Sequence, residues 1–520
     1  MSILITFLAL VLTALVLLVV RFSVPGFRHK WPIAVAGTLL AWISTFVWLP
    51  RLPVSLQFSI WQPADLFSQT PTFIADRMSW AFVVSLITLC LAIMLTAAVR
   101  PQFPAPVNWS GTLVLTSLGV LAVVAGNPLT LVMIWAAIDL VELIVQLWFV
   151  EDPKLSERVV ISFASRVTGI LILLWADMVG AAGGALSDFR AATPQAGLFL
   201  LIASALRVGV LPLHLPYTGE SALRRGFGTG LRMISAASSL ILLARIPAGS
   251  IHSPLTPFLL LLVSFAALYG GWMWLRAPDE LTARPFWLIG IGSLVVASAL
   301  RSNPVAVTAW SCALILAGSA LFLFSEQNKW QTRALYAGAF GISGLPLSLT
   351  ASGWVSGGTG FWPAFPLLIL SHAMLIAGYI RHAQRTITRN GNPDQPIWAK
   401  NVYPFGIMLL LLLTLALGLF GWEGSLQLGN WIASLIACLL AAGLLWLTPR
   451  ARILNPVRAH WVRPANASWL DWVYGGLWGL YRQLGRLSNA FLGLLEGESG
   501  IMWTLLFLVL FITVFMQRTP

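Results

Sequence analysis

The chain has 520 residues, of which 58% are hydrophobic and 9% are charged. Apolar runs of about 18 or more residues recur along nearly its whole length, which is typical of helical membrane proteins and excludes a soluble globular protein. The net charge of +13 does not indicate nucleic-acid binding, because the basic residues lie in short loops between the apolar runs.

These runs predict an all-α polytopic membrane protein of about sixteen transmembrane helices. The predicted spans lie near residues 3–20, 32–49, 79–98, 111–125, 129–150, 159–179, 197–213, 226–244, 254–275, 285–300, 304–324, 334–349, 361–380, 402–420, 430–447 and 501–516. Alternating apolar residues in segment 52–77 favour an external hairpin. Segment 464–498 resembles an amphipathic helix, either in the cytoplasmic membrane interface or docked on a partner protein.

Loop charges predict the orientation of the chain. Most of the 31 lysines and arginines lie in the loops that alternate on one side of the predicted spans. Positively charged loops stay in the cytoplasm, so we expect both termini outside, in a bacterial cell inner membrane.

Two predicted spans are interrupted by proline. Pro212 breaks the stretch ASALRVGVLPLHL, which also carries Arg207 and His214, and Pro346 breaks the similar stretch SGLPLSL. A membrane helix tolerates such a break only where neighbours or water satisfy the freed backbone groups. Two broken segments in corresponding halves predict a binding or conduction path.

Few ionisable residues fall inside the predicted spans, and each is a candidate for function because burying a charge in a membrane is costly. Asp139 and Glu142 lie three residues apart and share one helix face. Two acids on a buried face repel if both ionise, so we expect one to be protonated or a basic residue to lie between them. Arg207 or Arg232 is the expected partner.

The basic candidates each allow two interpretations. Arg207 either fixes a positive charge in an ion path or is a structural cation, and it cannot itself pass on a proton. Arg232 and Arg166 either face the interior or reach the cytoplasmic surface. His214 either relays a proton or only hydrogen-bonds. We predict an ion path formed by Asp139, Glu142, Arg207, His214 and Arg232, with Arg166 and His372 as possible accessory residues.

Several stretches resemble one family: the antiporter-like, proton-conducting membrane subunits of respiratory complex I, shared with Mrp-type antiporters, membrane-bound hydrogenases and energy-coupled inorganic-carbon pumps. The stretches are RVGVLPLHLP with the following SALRRGFGTGLRMISAASSLILLARIP, the run Arg166-Val167-Thr168-Gly169, the segment GISGLPLSLTASGW, and Ala317-Gly318-Ser319. The resemblance covers roughly residues 111–354.

The resemblance implies two inverted five-helix repeats, each with one broken helix, near Pro212 and Pro346. We accordingly divide the chain into N-terminal helices with the external hairpin (1–110), a first repeat (111–245), a second repeat (254–381), peripheral helices (401–448), the amphipathic segment (464–498) and a final span (499–520).

The chain also departs from this family. The family's central lysine corresponds to Arg207, and its glutamate in the fifth span corresponds to Ala136. Two further family lysines correspond to Trp310 and Trp354. Proton transfer needs groups that change charge, so the second half is expected not to conduct, whereas the first half keeps charges without a titratable base at its centre.

The predicted function is that of a membrane subunit in a complex I-like, ion-gradient-coupled assembly that translocates or gates H⁺ or Na⁺. The alternatives are a subunit of an inorganic-carbon pump and a non-conducting scaffold that anchors a redox or soluble partner. No catalytic, metal or cofactor motif occurs in the sequence, so we expect no catalytic centre and no cofactor. Expected partners are other membrane subunits, a soluble cytoplasmic or redox subunit, and membrane lipid, but no nucleic acid.

Overall fold

The structure is a computed structural model. It describes residues 2–24, 27, 29–57, 70–99, 106–149, 153–184, 188–215, 225–247, 249–251, 253–325, 329–354, 363–385, 397–420, 422–423, 425–426 and 428–447, with residues 476, 479, 482, 483 and 486. Its helices are α1 (Ser2–Ser23), α2 (Lys30–Trp48), α3 (Arg77–Thr96), α4 (Pro106–Val124), α5 (Pro128–Phe149), α6 (Pro153–Ala182), α7 (Pro194–Val208), α8 (Arg225–Arg245), α9 (Thr256–Arg276), α10 (Arg284–Leu300), α11 (Pro304–Leu323), α12 (Lys329–Gly341), α13 (Ala364–Ala383), α14 (Ile397–Phe420) and α15 (Leu428–Leu447). Two short strands, β1 (Val54–Gln57) and β2 (Thr72–Ala75), complete the description.

The prediction of an all-α polytopic membrane protein is confirmed. Each of the first fifteen predicted spans coincides with one helix, and in the described part of the chain ten helices are long and apolar enough to cross a membrane. Four shorter apolar helices accompany them. The chain is therefore an integral membrane protein, and the number of crossings and the inverted repeats stay predictions.

Local sequence explains where several helices begin. The side chain of Asp76 accepts a hydrogen bond from Ser79 N at 2.8 Å, forming a capping box at the start of α3. The side chain of Asn303 accepts from Ala306 N at 2.9 Å at the start of α11. Proline follows the cap residue of α7 and of α11, where its missing N–H is not needed.

The two broken helices end earlier than predicted. Helix α7 ends at Val208 where the predicted span continued to residue 213, and α12 ends at Gly341 where the predicted span continued to residue 349. Gly209 and Gly344 adopt left-handed backbone angles, with φ of 83° and 73°, and proline follows each within three residues. A left-handed glycine ends a helix, and the residue before proline disfavours helical angles, so both breaks fall before the proline.

The strands β1 and β2 pair in antiparallel register, with Val54 opposite Ala75. The strand residue Phe73 also bridges to Ala125, just after α4. At the end of α8, the guanidinium of Arg245 donates to Ile74 O at 3.0 Å and to Val123 O at 2.7 Å. Arg245 therefore ties the strand pair to α4 and α8.

The centre of the bundle is formed by α3, α8 and α11, whose side chains are almost all buried. Helix α8 packs against α3, α4, α7 and α11. By contrast, most side chains of α1 and α2 are exposed or only partly buried, and many large hydrophobic residues are among the exposed ones. The polar residues of α5, α6 and α7 therefore meet α8 in a buried region and not at the periphery.

Residues Pro464–Pro520 form a second unit. Its described positions, residues 476, 479, 482, 483 and 486, are helical and exposed. The predicted amphipathic segment 464–498 is described at these positions alone, and the predicted final span 499–520 lies outside the described residues.

Candidate functional site

Four helices bring five charged side chains together in the first half of the chain. They are Asp139 and Glu142 on α5, Arg166 on α6, Arg207 on α7 and Arg232 on α8. We call this group the charge cluster. None of its residues is more than 2% exposed. The predicted candidates on these four helices thus form one site, and neither Arg166 nor Arg232 reaches the surface.

Arg207 holds Asp139 in a two-pronged ion pair. Its Nη1 donates to Asp139 Oδ2 at 2.6 Å and its Nη2 donates to Asp139 Oδ1 at 2.8 Å. The planar guanidinium matches a carboxylate in this way, whereas a lysine ammonium is a single point charge. The arrangement fixes both the distance and the orientation between α5 and α7.

Glu142 is held between two arginines. Arg166 Nη1 pairs with Glu142 Oε2, and Arg232 Nη1 donates to Glu142 Oε1. The Nε2 of Gln146, one turn further along α5, also donates to Glu142 Oε1, at 2.7 Å. Glu142 therefore links α5 to both α6 and α8.

Arg166 connects the two halves of the cluster. Its Nε lies 3.7 Å from Asp139 Oδ1 while its Nη1 pairs with Glu142. A basic residue therefore lies between the two acids, which is one of the two arrangements expected from the sequence. Three guanidinium groups face two carboxylates, which leaves one positive charge in excess. Unpaired buried charge is expensive, so the excess must be spread over hydrogen bonds to neutral groups.

Neutral groups surround Arg207 in a way that supplies such hydrogen bonds. Its Nε donates to Ser239 Oγ at 3.1 Å, and its Nη1 also donates to Arg166 O at 3.1 Å. The ring of Trp135 lies 4.2 Å from the guanidinium carbon, which is cation–π distance. A Cβ on Gly169 would lie 2.6 Å from Arg207 Cγ, so only glycine leaves room for this side chain.

The charge cluster places fixed charges inside the bundle, but its arginines cannot give up or take up protons. A guanidinium stays protonated in proteins, and ionised carboxylates are only acceptors. Charge could still shift within the cluster, because Arg166 contacts both acids and could strengthen its pairing with either one. The geometry therefore fits a gate or an electrostatic element better than a chain of proton-exchanging bases.

The two predicted histidines are bound to other groups. His214 follows the break after α7, and its Nδ1 donates to Pro212 O at 2.8 Å. His372 lies on α13 in the second half, and its Nε2 donates to Ile342 O at 2.7 Å, in the break after α12. Both are buried, but neither has a described contact with the charge cluster.

Aromatic side chains pack together in the second half of the chain. The rings of Trp310 and Trp354 lie 6.5 Å apart and edge to face. The His372 ring lies 5.0 Å from that of Trp310 and 5.8 Å from that of Trp354. Trp310 Nε1 donates to Gly353 O at 3.3 Å. This half therefore holds a neutral, aromatic site around a histidine.

Four residues of the site were missed from the sequence: Trp135, Gln146, Gly169 and Ser239. Trp135 and Gln146 were detectable, because they lie four residues before Asp139 and four residues after Glu142, on the same helix face. Gly169 and Ser239 lie on other helices, and only the packing of α6 and α8 against Arg207 gives them a role.

The fold and this buried charge define a class: polytopic helical membrane proteins with an ionic centre inside the bundle. Comparison with solved structures narrows this description. The chain is similar to a chain in the structure of the Mrp complex from Dietzia sp. DQ12-45-1b, with a TM-score of 0.71 and 14% identity, over 100% of this chain and 63% of that one. It therefore spans less than two thirds of the Mrp chain.

Two further structures share the fold. One is the membrane-bound sulfane sulfur reductase, an archaeal respiratory membrane complex, with a TM-score of 0.65 and 13% identity over 99% of this chain and 100% of that chain. The other is respiratory complex I from Thermus thermophilus, with a TM-score of 0.63 and 18% identity over 85% of this chain and 100% of that chain. No family model and no curated protein matches. The predicted resemblance is thus confirmed as a likeness in fold.

Proposed function

We propose that the chain is a membrane subunit of a multi-subunit, complex I-like assembly, in which the charge cluster senses or gates the movement of H⁺ or Na⁺. The observation that carries this proposal is the burial of five formal charges on four adjacent helices. A single charged side chain at the centre of a helix costs several kcal/mol on insertion into a membrane. A purely structural bundle would be more stable with apolar residues there.

The likeness to chains of the Mrp complex, the sulfane sulfur reductase and complex I supports other membrane subunits as partners. We place the chain in a bacterial inner membrane with both termini outside, on the loop-charge asymmetry. We further propose that a soluble cytoplasmic or redox subunit carries any catalysis, because the chain's sequence contains no catalytic motif.

The charge cluster is suited to gating because the charges of its residues stay constant while the pairing between them can change. Arg166 lies between Asp139 and Glu142, so a small movement of α6 would change which acid it neutralises. That change would alter the local electric field without any proton leaving an arginine. An ion passing nearby would meet a different barrier in each state.

A non-conducting scaffold is the second candidate, and the packing of Trp310 against Trp354 favours it. Tryptophans at both family lysine positions leave no charge there. The inorganic-carbon pump lies between the two proposals, since its membrane subunit would pass gradient energy to a soluble partner.

Ion-gradient-dependent activity of the intact assembly distinguishes these functions. We expect Glu142→Gln and Asp139→Asn each to reduce activity at least about tenfold, an amount of about 1.4 kcal/mol in a barrier. Assembly must be shown to equal that of the wild type by the yield of the purified complex. Unchanged activity with full assembly would leave the scaffold as the better proposal.

Glu280→Gln is the matched control. Glu280 is also buried between two arginines, with Arg225 at 2.6 Å and Arg385 at 2.8 Å, but it lies in the turn between α9 and α10, and neither of its partners is a cluster residue. A general sensitivity to losing a buried carboxylate would reduce activity in all three variants. A role specific to the cluster leaves the Glu280→Gln assembly active.

A further inference from the structure

The second half contains buried polar atoms that have no hydrogen-bond partner among the residues that the structure describes. They surround the break after α12 and include Nδ1 of His372, Oγ of Ser434, Nε1 of Trp354, and the hydroxyls of Ser348 and Ser352. His372 and Ser434 are 0% exposed and Trp354 is 6% exposed. Buried polar groups are nearly always hydrogen-bonded, so several orphans around one break indicate a ligand that satisfies them.

Two of these groups, on α13 and α15, meet at Gly344, and a third lies beside His372. A Cβ on Gly344 would overlap Ser434 Oγ on α15 and lie 3.6 Å from His372 Cε1 on α13. The Trp354 ring, which follows the break, lies 5.8 Å from the His372 ring. The absence of a side chain at Gly344 therefore leaves this space to the polar atoms.

The hydrogen bond of His372 determines what its free nitrogen can do. Nε2 faces the carbonyl oxygen Ile342 O at 2.7 Å, and a carbonyl can only accept, so Nε2 carries the hydrogen. In a neutral ring the other nitrogen, Nδ1, is then an acceptor. The site combines this acceptor with one indole donor at Trp354 and one serine hydroxyl that can do either.

We propose that water binds between His372 Nδ1, Ser434 Oγ and Trp354 Nε1, and that His372 is the proton-exchanging group of the second half. A water molecule needs two to four polar partners, and these three groups supply both donors and an acceptor. Neither carboxylate nor guanidinium is among them, so the site suits a neutral, hydrogen-bonding ligand and not a bare metal cation. The role in ion movement rests on the proposed function; the hydration of the site does not.

The proton step is simple to balance. A proton from a hydronium ion in the site bonds to Nδ1, leaving a water molecule and an imidazolium whose Nε2–H bond to Ile342 O is kept. Return of the proton to water reverses the step. This exchange is the one that the arginines of the charge cluster cannot perform.

Other titratable groups lie on the helices packed against α13, and none of them has a described contact with His372. They are Tyr269 and Arg276 on α9, Arg284 on α10, Cys312 on α11, Arg333 and Tyr336 on α12, and Cys438 on α15. Cys438 alone among them has a described contact at the break, with its sulfur 3.8 Å from Ser343 O. Arg301 donates to Trp354 O at 3.3 Å, so one positive charge lies beside the site.

Solid-state NMR of the full chain in lipid vesicles tests the proposal directly. The chain contains six histidines, so ¹⁵N-histidine labelling gives few signals, and the signal that disappears in His372→Gln is assigned to His372. We expect a cross-peak between water and His372, and conversion of Nδ1 to a protonated form as the pH is lowered. Absence of either the water contact or the conversion would overturn the proposal.

Two serine variants provide the matched comparison. Ser434→Ala removes an unpartnered hydroxyl from the site and should abolish the water cross-peak. Ser371→Ala, next to His372 on α13, removes a hydroxyl that donates to Ala267 O at 2.6 Å, away from the break, and should leave the cross-peak intact. Equal loss in both variants would contradict a site at Ser434.

The activity of the intact assembly then tests whether hydration of His372 matters for ion movement. We expect His372→Gln to reduce gradient-dependent activity at least about tenfold. If His372 contacts water and exchanges protons but His372→Gln leaves the activity unchanged, the proposed role of His372 in ion movement is wrong. Inactive Asp139→Asn and Glu142→Gln assemblies with a dry His372 would support the proposed function while refuting this inference.

Discussion

The pairing of Asp139 with Arg207 predicts a strongly non-additive response to mutation. Asp139→Leu leaves the buried guanidinium of Arg207 without its carboxylate and raises the formal charge excess of the cluster from one to two. Removing one partner of a buried pair costs about 3–5 kcal/mol, because the other charge is left uncompensated. We expect Asp139→Leu to fall in that range.

Arg207→Met should cost less, about 1–3 kcal/mol. It removes the excess positive charge and leaves Arg166 at 3.7 Å from Asp139, so two guanidiniums then face two carboxylates. The double variant Asp139→Leu/Arg207→Met removes one charge of each sign and fills the space with apolar side chains. Replacing a buried pair in this way is often neutral or stabilising, so we expect the double variant within about 1 kcal/mol of the wild type.

The assay is reversible unfolding in mixed detergent micelles, with helix content as the readout for the four members of the cycle. Arg385→Met is the control: Arg385 pairs with Glu280, but its side chain is 38% exposed and Glu280 keeps Arg225. Its loss should cost less than about 1 kcal/mol. Additive costs, with the double variant least stable of all, would refute the reasoning that these two residues form a coupled buried pair.

Two further predictions concern packing and attachment. Gly169→Ala should destabilise the chain by about 1–3 kcal/mol in the same unfolding assay, because the added Cβ overlaps Arg207. Gly443→Ala is the control and should be neutral or stabilising, because a Cβ there meets nothing within 4 Å. A Gly443→Ala variant less stable than Gly169→Ala would contradict this account. Arg245→Met should cost about 1–3 kcal/mol, since it removes the donor of two partly buried hydrogen bonds to carbonyl oxygens in β2 and α4. An unchanged unfolding midpoint would show that the strand pair is held by other contacts.

The fold was largely predictable because membrane insertion imposes a strong rule on sequence. A spanning helix must be long, apolar and internally hydrogen-bonded, so length and hydropathy located the positions of α1 to α15. Helix ends were less predictable, because proline marks a break without fixing where it starts. Helix α7 ends at Val208, just before the left-handed Gly209, and α12 ends at Gly341, three residues before the left-handed Gly344, so both helices end before the proline is reached.

The candidate site was predictable in part. Spacing alone placed Asp139 and Glu142 on one face, and the cost of buried charge predicted basic partners. Which of three arginines would serve could not be read from the sequence, since each lies on a different helix and two of them could have reached the surface. Packing of α6 and α8 against α5, and of α7 against α6 and α8, brought all three inward.

The two halves of the chain differ in the chemistry of their buried polar groups, so each half needs its own test. In the first half, Arg207 holds Asp139 in a two-pronged ion pair, and its guanidinium does not give up a proton. In the second half, the rings of Trp310 and Trp354 lie beside His372, whose imidazole is the group that we propose exchanges protons. If both proposals hold, protons move through the site at His372, because the guanidinium groups of the charge cluster change only the electric field.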